Sequence, residues 1–256
     1  MMCCSPASKP TPTADSGAGT HRSWQTVALR WAGAAALGVA LGGCATGPSA
    51  DPRDPFENYN RSMTRFNEAV DEAVLKPVAK GYATVTPDPV RTAVSNFFNN
   101  LKDMWGTVNT ALQLRGEATA VNFMRVNVNT FIGLGGLIDI ASEMGLHKTK
   151  ADFGQTMGHW GVPPGPYLVL PLMGPSTVRD TVGMGIEARG DLVGQVEHIP
   201  SRNSLTALRL VETRAGLLRA GSLLDEAALD KYAFTREVFL QRRQSVVDEP
   251  RDALAD

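Results

Sequence analysis

The segment DPFENYNRSMTRFNEAVDEAV, residues 54–74, has the pattern of an amphipathic helix and indicates a helical fold. Its start carries the usual signals, because Asp54 can cap the first turn, Pro55 suits the first helical position and Glu57 occupies the capping-box position. Apolar residues then recur at steps of three or four, which places them on one stripe: Phe56, Tyr59, Met63, Phe66, Val70 and Val74. Packing in a protein core explains this stripe, and membrane contact is the alternative.

Two stretches further along, 88–112 and 117–132, also have apolar stripes, and their opposite faces are rich in asparagine. A neutral amide face is either solvated surface, which is the usual role of a polar face, or the lining of a water-filled path. The residues predicted to line such a path are Asn96, Asn99, Asn122 and Asn129. Ser176 is a plausible helix cap, and helical periodicity returns at 205–218 and 230–244, so the sequence predicts an all-α fold.

Two apolar segments interrupt the helical pattern. The first, NTFIGLGGLIDIA at 129–141, is apolar on all sides but too short to cross a bilayer, so we expect burial or an interfacial placement. The second, 153–175, has five glycines and five prolines, which exclude a long helix. It is either a short strand packed on the domain or an apolar loop that dips into lipid. The predicted lipid-path or membrane-contact residues are Phe131, Ile132, Tyr167, Leu168, Leu170 and Met173.

The N-terminal part has the features of a lipoprotein signal peptide. Arg22 and Arg30 accompany the apolar run 31–41, and Leu41-Gly42-Gly43-Cys44 matches a lipobox, so we expect acylation of Cys44. An ordinary signal peptide with an accidental cysteine is the alternative. The pattern predicts a signal peptide at 1–43, a lipidated tether at 44–53, a helical domain at 54–247 and a polar tail at 248–256. The first 20 residues are unusually polar for a signal, which suggests that translation starts further downstream.

Charge and cysteine content exclude several classes of function. The net charge is −1, and the leader's excess of two positive charges (Lys9, Arg22 and Arg30 against Asp15) leaves −3 on the rest. Such a chain lacks the basic field that recruits nucleic acid. Cys3, Cys4 and Cys44 are the only cysteines, so a mature chain that starts at Cys44 forms neither an internal disulfide nor a thiolate zinc site.

Catalytic motifs are missing from the sequence. It contains no His-Glu-x-x-His zinc helix, no Gly-x-Ser-x-Gly nucleophile elbow and no dinucleotide or P-loop spacing of glycines. We therefore expect no enzyme, no cofactor and no metal. His159, between Gly158 and Trp160, is expected to anchor a loop. Asp139 has apolar neighbours and would be costly to bury alone, so we expect it to cap a helix or to pair with an arginine.

Several sequence blocks between Asp54 and about Arg243 carry a family resemblance. Among them are Asp54-Pro55-Phe56-Glu57, Lys76-Pro77-Val78-Ala79, Gly158-His159-Trp160-Gly161-Val162, Gly165-Pro166-Tyr167 with Leu170-Pro171 and Gly174-Pro175-Ser176-Thr177, and Glu212-Thr213-Arg214-Ala215. Through these blocks the chain closely resembles the VacJ/MlaA family of outer-membrane lipid-asymmetry lipoproteins. One departure is Lys102-Asp103-Met104, which lacks the proline often found near this place and leaves the helix breaks there open.

The resemblance implies a ring-like bundle of amphipathic helices in the inner leaflet of the outer membrane, with a central amphipathic channel. It implies that misplaced phospholipid is taken from the outer leaflet and passed to a soluble periplasmic carrier, with trimeric porins as partners. Cys44 would carry palmitate, and Ala45 after it resembles the signal for export to the outer membrane. The alternative is a structural or adaptor lipoprotein that binds porins without moving lipid. A lipase is a third reading, which the missing nucleophile motif disfavours.

Overall fold

The computed structural model describes residues 51–248, without the side chains of residues 225–227. Cys44 lies outside this range, as do the predicted signal peptide and nearly all of the predicted tail. The first half of the domain contains α1 (Glu57–Val70), a π-helical turn (Asp71–Leu75), α2 (Lys76–Val85), α3 (Asp88–Leu112), α4 (Gly116–Phe131) and α5 (Ile140–Glu143). The second half contains α6 (Phe153–His159), β1 (Tyr167–Leu170), β2 (Gly174–Thr177), α7 (Val178–Arg189), α8 (Ile199–Gly216), α9 (Leu218–Ala227) and α10 (Lys231–Val247).

The elements contact one another in a closed circuit. Helix α1 packs on β1, β1 pairs with β2, and β2 contacts α10. Helix α10 then contacts α6, α6 contacts α3, α3 contacts α8, and α8 packs on α2, which continues from α1 through the π-helical turn. Both the all-α class and the ring-like arrangement predicted from the sequence are confirmed. The sequence left helix breaks near residues 102–104 open, and the structure has none there, because α3 runs without interruption through Asp103.

The first helix starts later than its sequence signals predict. It begins at Glu57 with Phe56 at the N-cap position, and no side chain caps it. Asp54 is instead buried, and its carboxylate accepts hydrogen bonds from Asn60 Nδ2 at 2.7 Å, from Arg236 Nη1 at 3.0 Å and from the Tyr232 hydroxyl. The predicted N-cap is therefore wrong, because partners distant in sequence bind the carboxylate that would have capped the helix.

The assignment of the apolar stripe of α1 to a protein core is confirmed for Met63, which packs against the buried cluster around Tyr167, but it is wrong for Phe66 and Val74. Phe66 and Val74 are about half exposed, at 50% and 53%, whereas Asn60 on another face is completely buried. Asn60 and Asn67, seven residues apart, both bond to the backbone of the hairpin, Asn60 along the free edge of β1 and Asn67 at the turn that follows it. Asn60 donates to the Tyr167 carbonyl and accepts from the Val169 N–H, while Asn67 donates to the Leu170 carbonyl and accepts from the Leu172 N–H. Side-chain amides thus complete the hydrogen bonding of an edge strand.

Helices α3 and α4 resemble α1 in that polar residues lie inside and apolar residues lie outside. Their buried faces carry mostly polar side chains, while Val108, Leu112, Phe123 and Met124 are exposed. The buried polar residues of the two helices include Asn100, Asp103, Asn109, Thr110, Asn122, Arg125 and Asn129. A solvated surface is therefore wrong for the four buried asparagines, which point into the protein, whereas Asn99 is exposed. No helix within residues 51–248 is both long enough and apolar enough to cross a membrane.

The second apolar segment forms a β-hairpin, which confirms its interpretation as a short packed strand. Strand β1 pairs antiparallel with β2, with Tyr167 opposite Thr177. Tyr167 and Val169 point inward and form a small apolar cluster with Tyr232 of α10. Thr177, rather than the predicted Ser176, caps the following helix by accepting a hydrogen bond from the Asp180 N–H.

The first apolar segment is a glycine-rich loop after α4. Three consecutive residues have positive φ angles: Leu134 at 54°, Gly135 at 73° and Gly136 at 92°. A Cβ atom on Gly136 would lie 2.7 Å from the Asn100 side chain, so only glycine fits where the loop touches α3. Of the two placements expected for this segment, burial within the protein is wrong for Phe131, Ile132 and Leu134, which are exposed at 80%, 63% and 68%, and the interfacial placement stays a prediction.

Candidate functional site

The most unusual feature of the domain is the distribution of its apolar and polar side chains. Among the described residues, exposed large apolar side chains far outnumber buried ones, and they occur on nearly every helix. Buried polar and charged side chains likewise outnumber buried apolar ones. Single exposed apolar residues are normal on soluble proteins, but an apolar surface of this extent marks contact with a membrane or with another protein.

The polar interior is closely hydrogen-bonded. Asn109 donates to the Trp105 carbonyl at 3.0 Å and accepts from the Thr156 hydroxyl at 2.8 Å, and Gln113 donates to the same hydroxyl at 3.0 Å. Because an unpaired polar group in an apolar environment is costly, such pairing is what allows these amides to be buried. The inner helix faces are therefore held together by hydrogen bonds rather than by apolar packing.

Asp139 caps α5 and pairs with an arginine, so both expected roles are confirmed. Its carboxylate accepts a hydrogen bond from the Ser142 N–H at 3.1 Å. Arg125 Nη2 lies 3.1 Å from each of its two oxygens and donates to them. Burial pushes the pKa of Asp139 up, but hydrogen bonds from Ser142 and Asn129 and the charge of Arg125 outweigh it and hold the pKa at about 2. The pair ties the glycine-rich loop to α4.

A second ionic cluster joins three helices. Arg243 of α10 donates to Asp152, which caps α6, and to Asp180 in α7, with its shortest contacts at 2.5 and 2.6 Å. Burial opposes ionisation of Asp180, but the hydrogen bond and charge of Arg243 dominate and lower its pKa. Gly154 of α6 permits this approach, because a Cβ there would lie 2.7 Å from Arg243 Nη2. Gly158 makes room for a different arginine, since a Cβ there would lie 2.6 Å from Arg179 Nη1.

A cavity of about 650 Å³ lies between α3, α6, α7, α10 and the loop before α6. Its wall combines apolar side chains with charged ones, including Asp103 and Glu187. Burial raises the pKa of Asp103 against the opposing effect of Lys148, and burial also raises the pKa of Glu187. A second cleft, of about 760 Å³, lies between the prolines at 163–166 and the end of α10.

The predicted membrane-contact residues fall into two groups. Phe131, Ile132 and Met173 are exposed, and so are Leu134 and Leu172, which sequence reasoning did not single out although they lie in the same apolar segments. Leu168 and Leu170 are half-buried on the outer side of β1. Tyr167 is wrong as a membrane-contact residue, because the alternation of the strand turns it inward and leaves it 1% exposed.

The four predicted channel asparagines are not equivalent. Asn122 and Asn129 are buried, and both ends of each amide bond to protein groups: Asn122 to the Thr149 backbone, and Asn129 to Asp139 and the Ala141 N–H. These two amides join elements of the fold and have no free surface to offer a passing headgroup. Asn96 is half-buried and Asn99 exposed, and Asn99 lines the 650 Å³ cavity.

No cluster of histidine, cysteine, aspartate and glutamate in the described part of the chain has the arrangement of a metal site. His198 caps α8, with its Nδ1 accepting from the Ser201 N–H. His159 forms an edge-on contact with the Trp160 ring.

Comparison with known proteins gives consistent matches over most of the chain. A family model for the MlaA lipoprotein matches residues 52–246. An uncharacterized protein of Rickettsia bellii is 34% identical over 200 residues, which cover 78% of each chain. The intermembrane phospholipid transport system lipoprotein MlaA of Shigella flexneri is 37% identical over 222 residues, covering 84% of this chain and 88% of that one. A solved structure presented as the structural basis for maintenance of bacterial outer membrane lipid asymmetry matches with a TM-score of 0.67 at 33% identity, covering 76% of this chain and 99% of that chain.

Proposed function

Because this chain belongs to the MlaA lipoprotein family, we propose that it is the outer-membrane lipoprotein of an intermembrane phospholipid transport system. In this role it maintains the lipid asymmetry of the outer membrane by removing phospholipid misplaced in the outer leaflet. It passes the lipid to a soluble periplasmic carrier. Acylated Cys44 anchors the chain on the periplasmic side, and trimeric porins hold it in place.

The observation that carries this proposal is the exposed apolar surface around a hydrogen-bonded polar interior. Burying apolar surface is favourable by roughly 25 cal/mol per Å², so these side chains favour transfer into lipid. The polar groups cannot follow them into hydrocarbon unless they are paired, and pairing is what the buried asparagines and ion pairs provide. A domain set partly into one leaflet satisfies both requirements without a membrane-spanning helix.

Transfer through this domain leaves the phospholipid chemically intact. A phospholipid needs an apolar surface for its acyl chains next to a polar route for its headgroup. Exposed Phe131, Leu134 and Met173 supply the first, and the mixed wall of the 650 Å³ cavity supports the second. Asn99, which lines this cavity, is our candidate for the lining of the route, together with Asn96.

The proposal is tested in a strain that lacks this protein. We expect phospholipid to accumulate in the outer leaflet and the cells to become sensitive to detergents and bile-like amphiphiles. Wild-type protein should reverse both effects. Asn96→Leu with Asn99→Leu should fail to reverse them, although the variant is expressed and reaches the outer membrane.

Asn203→Leu, at an exposed position of α8, is the matched control and should complement like the wild type. Surface phospholipid is measured by labelling intact cells. Normal surface phospholipid together with normal detergent resistance in the null strain would reject transport and leave an adaptor that binds porins.

A further inference from the structure

The 650 Å³ cavity carries an excess of positive charge. Six cationic side chains line it against three carboxylates, Asp103, Asp152 and Glu187. Each carboxylate has a partner: Asp103 pairs with Lys148, Asp152 with Arg243, and Glu187 accepts from the Phe153 N–H at 2.7 Å. Two of the three carboxylates are therefore neutralised by ion pairs, and the third, Glu187, is occupied by hydrogen bonds from Asn109 and the Phe153 N–H.

Three of the cations form no ion pair with the described residues, although the charge of one of them, Lys102, acts on Glu187 from a greater distance. Within residues 51–248, Lys102, Lys150 and Arg242 have no carboxylate at ion-pair distance, and all three are exposed at the cavity. They come from α3, from the loop before α6 and from α10. Chain segments far apart in sequence thus bring free positive charge to one cavity.

The same cavity has an apolar wall formed by Trp105, Phe239 and Val246. Trp105 is fixed in place, because its Nε1–H donates to the Gly190 carbonyl at 2.8 Å and its ring lies against Gly190, where no Cβ would fit. Free cations beside a fixed apolar wall suit an anionic amphiphile better than a small inorganic anion, which gains nothing from the wall.

We propose that this cavity selects phospholipids by headgroup charge, binding the phosphate of a lipid with net negative charge in preference to a zwitterionic one. The inference rests on the proposed function and names the substrate class of the transport site. The phosphodiester of an anionic lipid can bind to Lys102, Lys150 and Arg242, which form no ion pair within the described part of the chain. The ammonium group of a zwitterionic lipid meets these same cations and finds every carboxylate of the cavity engaged, so it is repelled.

The test uses the full acylated chain purified in a non-ionic detergent. Dioleoyl phosphatidylglycerol and dioleoyl phosphatidylethanolamine are added separately, and the bound lipid is measured by native mass spectrometry. We expect phosphatidylglycerol to bind about tenfold more tightly at low salt, with the preference decreasing as added salt screens the cavity charges. Lys102→Gln with Lys150→Gln and Arg242→Gln should bring the two affinities to within about twofold.

The matched control is Lys80→Gln with Arg189→Gln and Arg219→Gln, which removes the same charge from exposed positions outside the cavity and should keep the preference. A preference that survives in the cavity variant overturns the inference. Equal binding of the two lipids by the wild type overturns it while leaving transport intact, whereas binding of neither lipid rejects the proposed function as well. Inorganic phosphate that displaces phosphatidylglycerol, with both lipids bound equally, assigns the cavity to free anions and also overturns it.

Discussion

At the scale of single residues, the fold depends on paired charges that would be costly to leave alone. Arg125 is 3% exposed and holds Asp139, which in turn receives hydrogen bonds from Asn129 and Ser142. Removing one member of a buried pair strands the other, which costs more than the pair itself contributes. We therefore expect Arg125 and Asp139 to stabilise the fold mainly through each other.

The low pKa of Asp139 predicts a stability change at acid pH. The carboxyl has a pKa of about 2 in the folded chain against 3.8 in the unfolded one, so its contribution is complete above pH 4 and is lost as the pH falls towards 2. We expect this loss to reach at most about 2 kcal/mol. The measurement is thermal unfolding in detergent micelles, followed by tryptophan fluorescence between pH 5 and pH 2.

Asp139→Asn is the comparison for this prediction. The variant should be less stable than the wild type at pH 6, and its midpoint should change less between pH 4 and pH 2, because the titrating group is gone. If the pH profiles of wild type and variant are parallel over that range, Asp139 does not make the assigned contribution.

At the scale of elements, the glycine-rich loop after α4 gives a matched pair of substitutions. Gly135 and Gly136 both have positive φ angles, but a Cβ on Gly135 meets nothing within 4 Å while one on Gly136 meets Asn100 at 2.7 Å. Gly135→Ala should cost about 1 kcal/mol of unfolding free energy from backbone strain alone. Gly136→Ala should cost roughly 2–4 kcal/mol because overpacking adds to the strain.

Denaturant unfolding of the two variants and the wild type in micelles measures the difference. The structure requires Gly136→Ala to be the less stable variant. Equal stabilities would mean that the loop moves away from α3 without cost and does not depend on this contact.

The elements also show what a sequence pattern can predict. Periodicity located α1, α3, α4 and α10 within a few residues, because the alternation of apolar and polar faces is a local property of the chain. It did not predict α2, α6 or α9. It does not tell which face is inside, because that depends on the surrounding solvent. Phe66, Phe123 and Phe131 point outward, and Asn60 and Asn122 point inward, as expected for a protein with lipid outside.

The sequence pattern could not predict contacts between parts of the chain that are distant in sequence. Asp54 has every local mark of a helix cap, yet it bonds to Tyr232 and Arg236, 178 and 182 residues away. Tyr167 belongs to an apolar segment, and only the pairing of β1 with β2 shows that it is an inward position. The cavity charges are likewise contributed by helices and a loop whose proximity no local pattern indicates.

At the scale of the whole molecule, the apolar surface predicts membrane affinity without the lipid anchor. A chain in which a cleavable signal peptide replaces residues 1–44 should still fractionate mostly with membranes after a high-salt wash. The reason is that Phe131, Leu134 and Leu172 are each more than half exposed and gain from entering lipid.

Replacing these three residues by aspartate in the anchor-free chain should release it into the soluble fraction, since each charge in the membrane costs up to about 3 kcal/mol. All three side chains are exposed, so the fold should survive, and circular dichroism checks that it does. An anchor-free chain that is soluble before any such substitution would show that the apolar surface binds protein rather than lipid.

The contacts of Asp54 with Tyr232 and Arg236 join the two ends of the domain, and they can form only late in synthesis. Synthesis starts at the amino end. Nearly 180 further residues must therefore be added after Asp54 before Tyr232 and Arg236 are present to bind it. Contacts so distant along the chain form slowly. The proposed acylation of Cys44 can therefore precede closure of the helical circuit, and a chain that stops before Tyr232 leaves Asp54 bonded to Asn60 but without Tyr232 and Arg236.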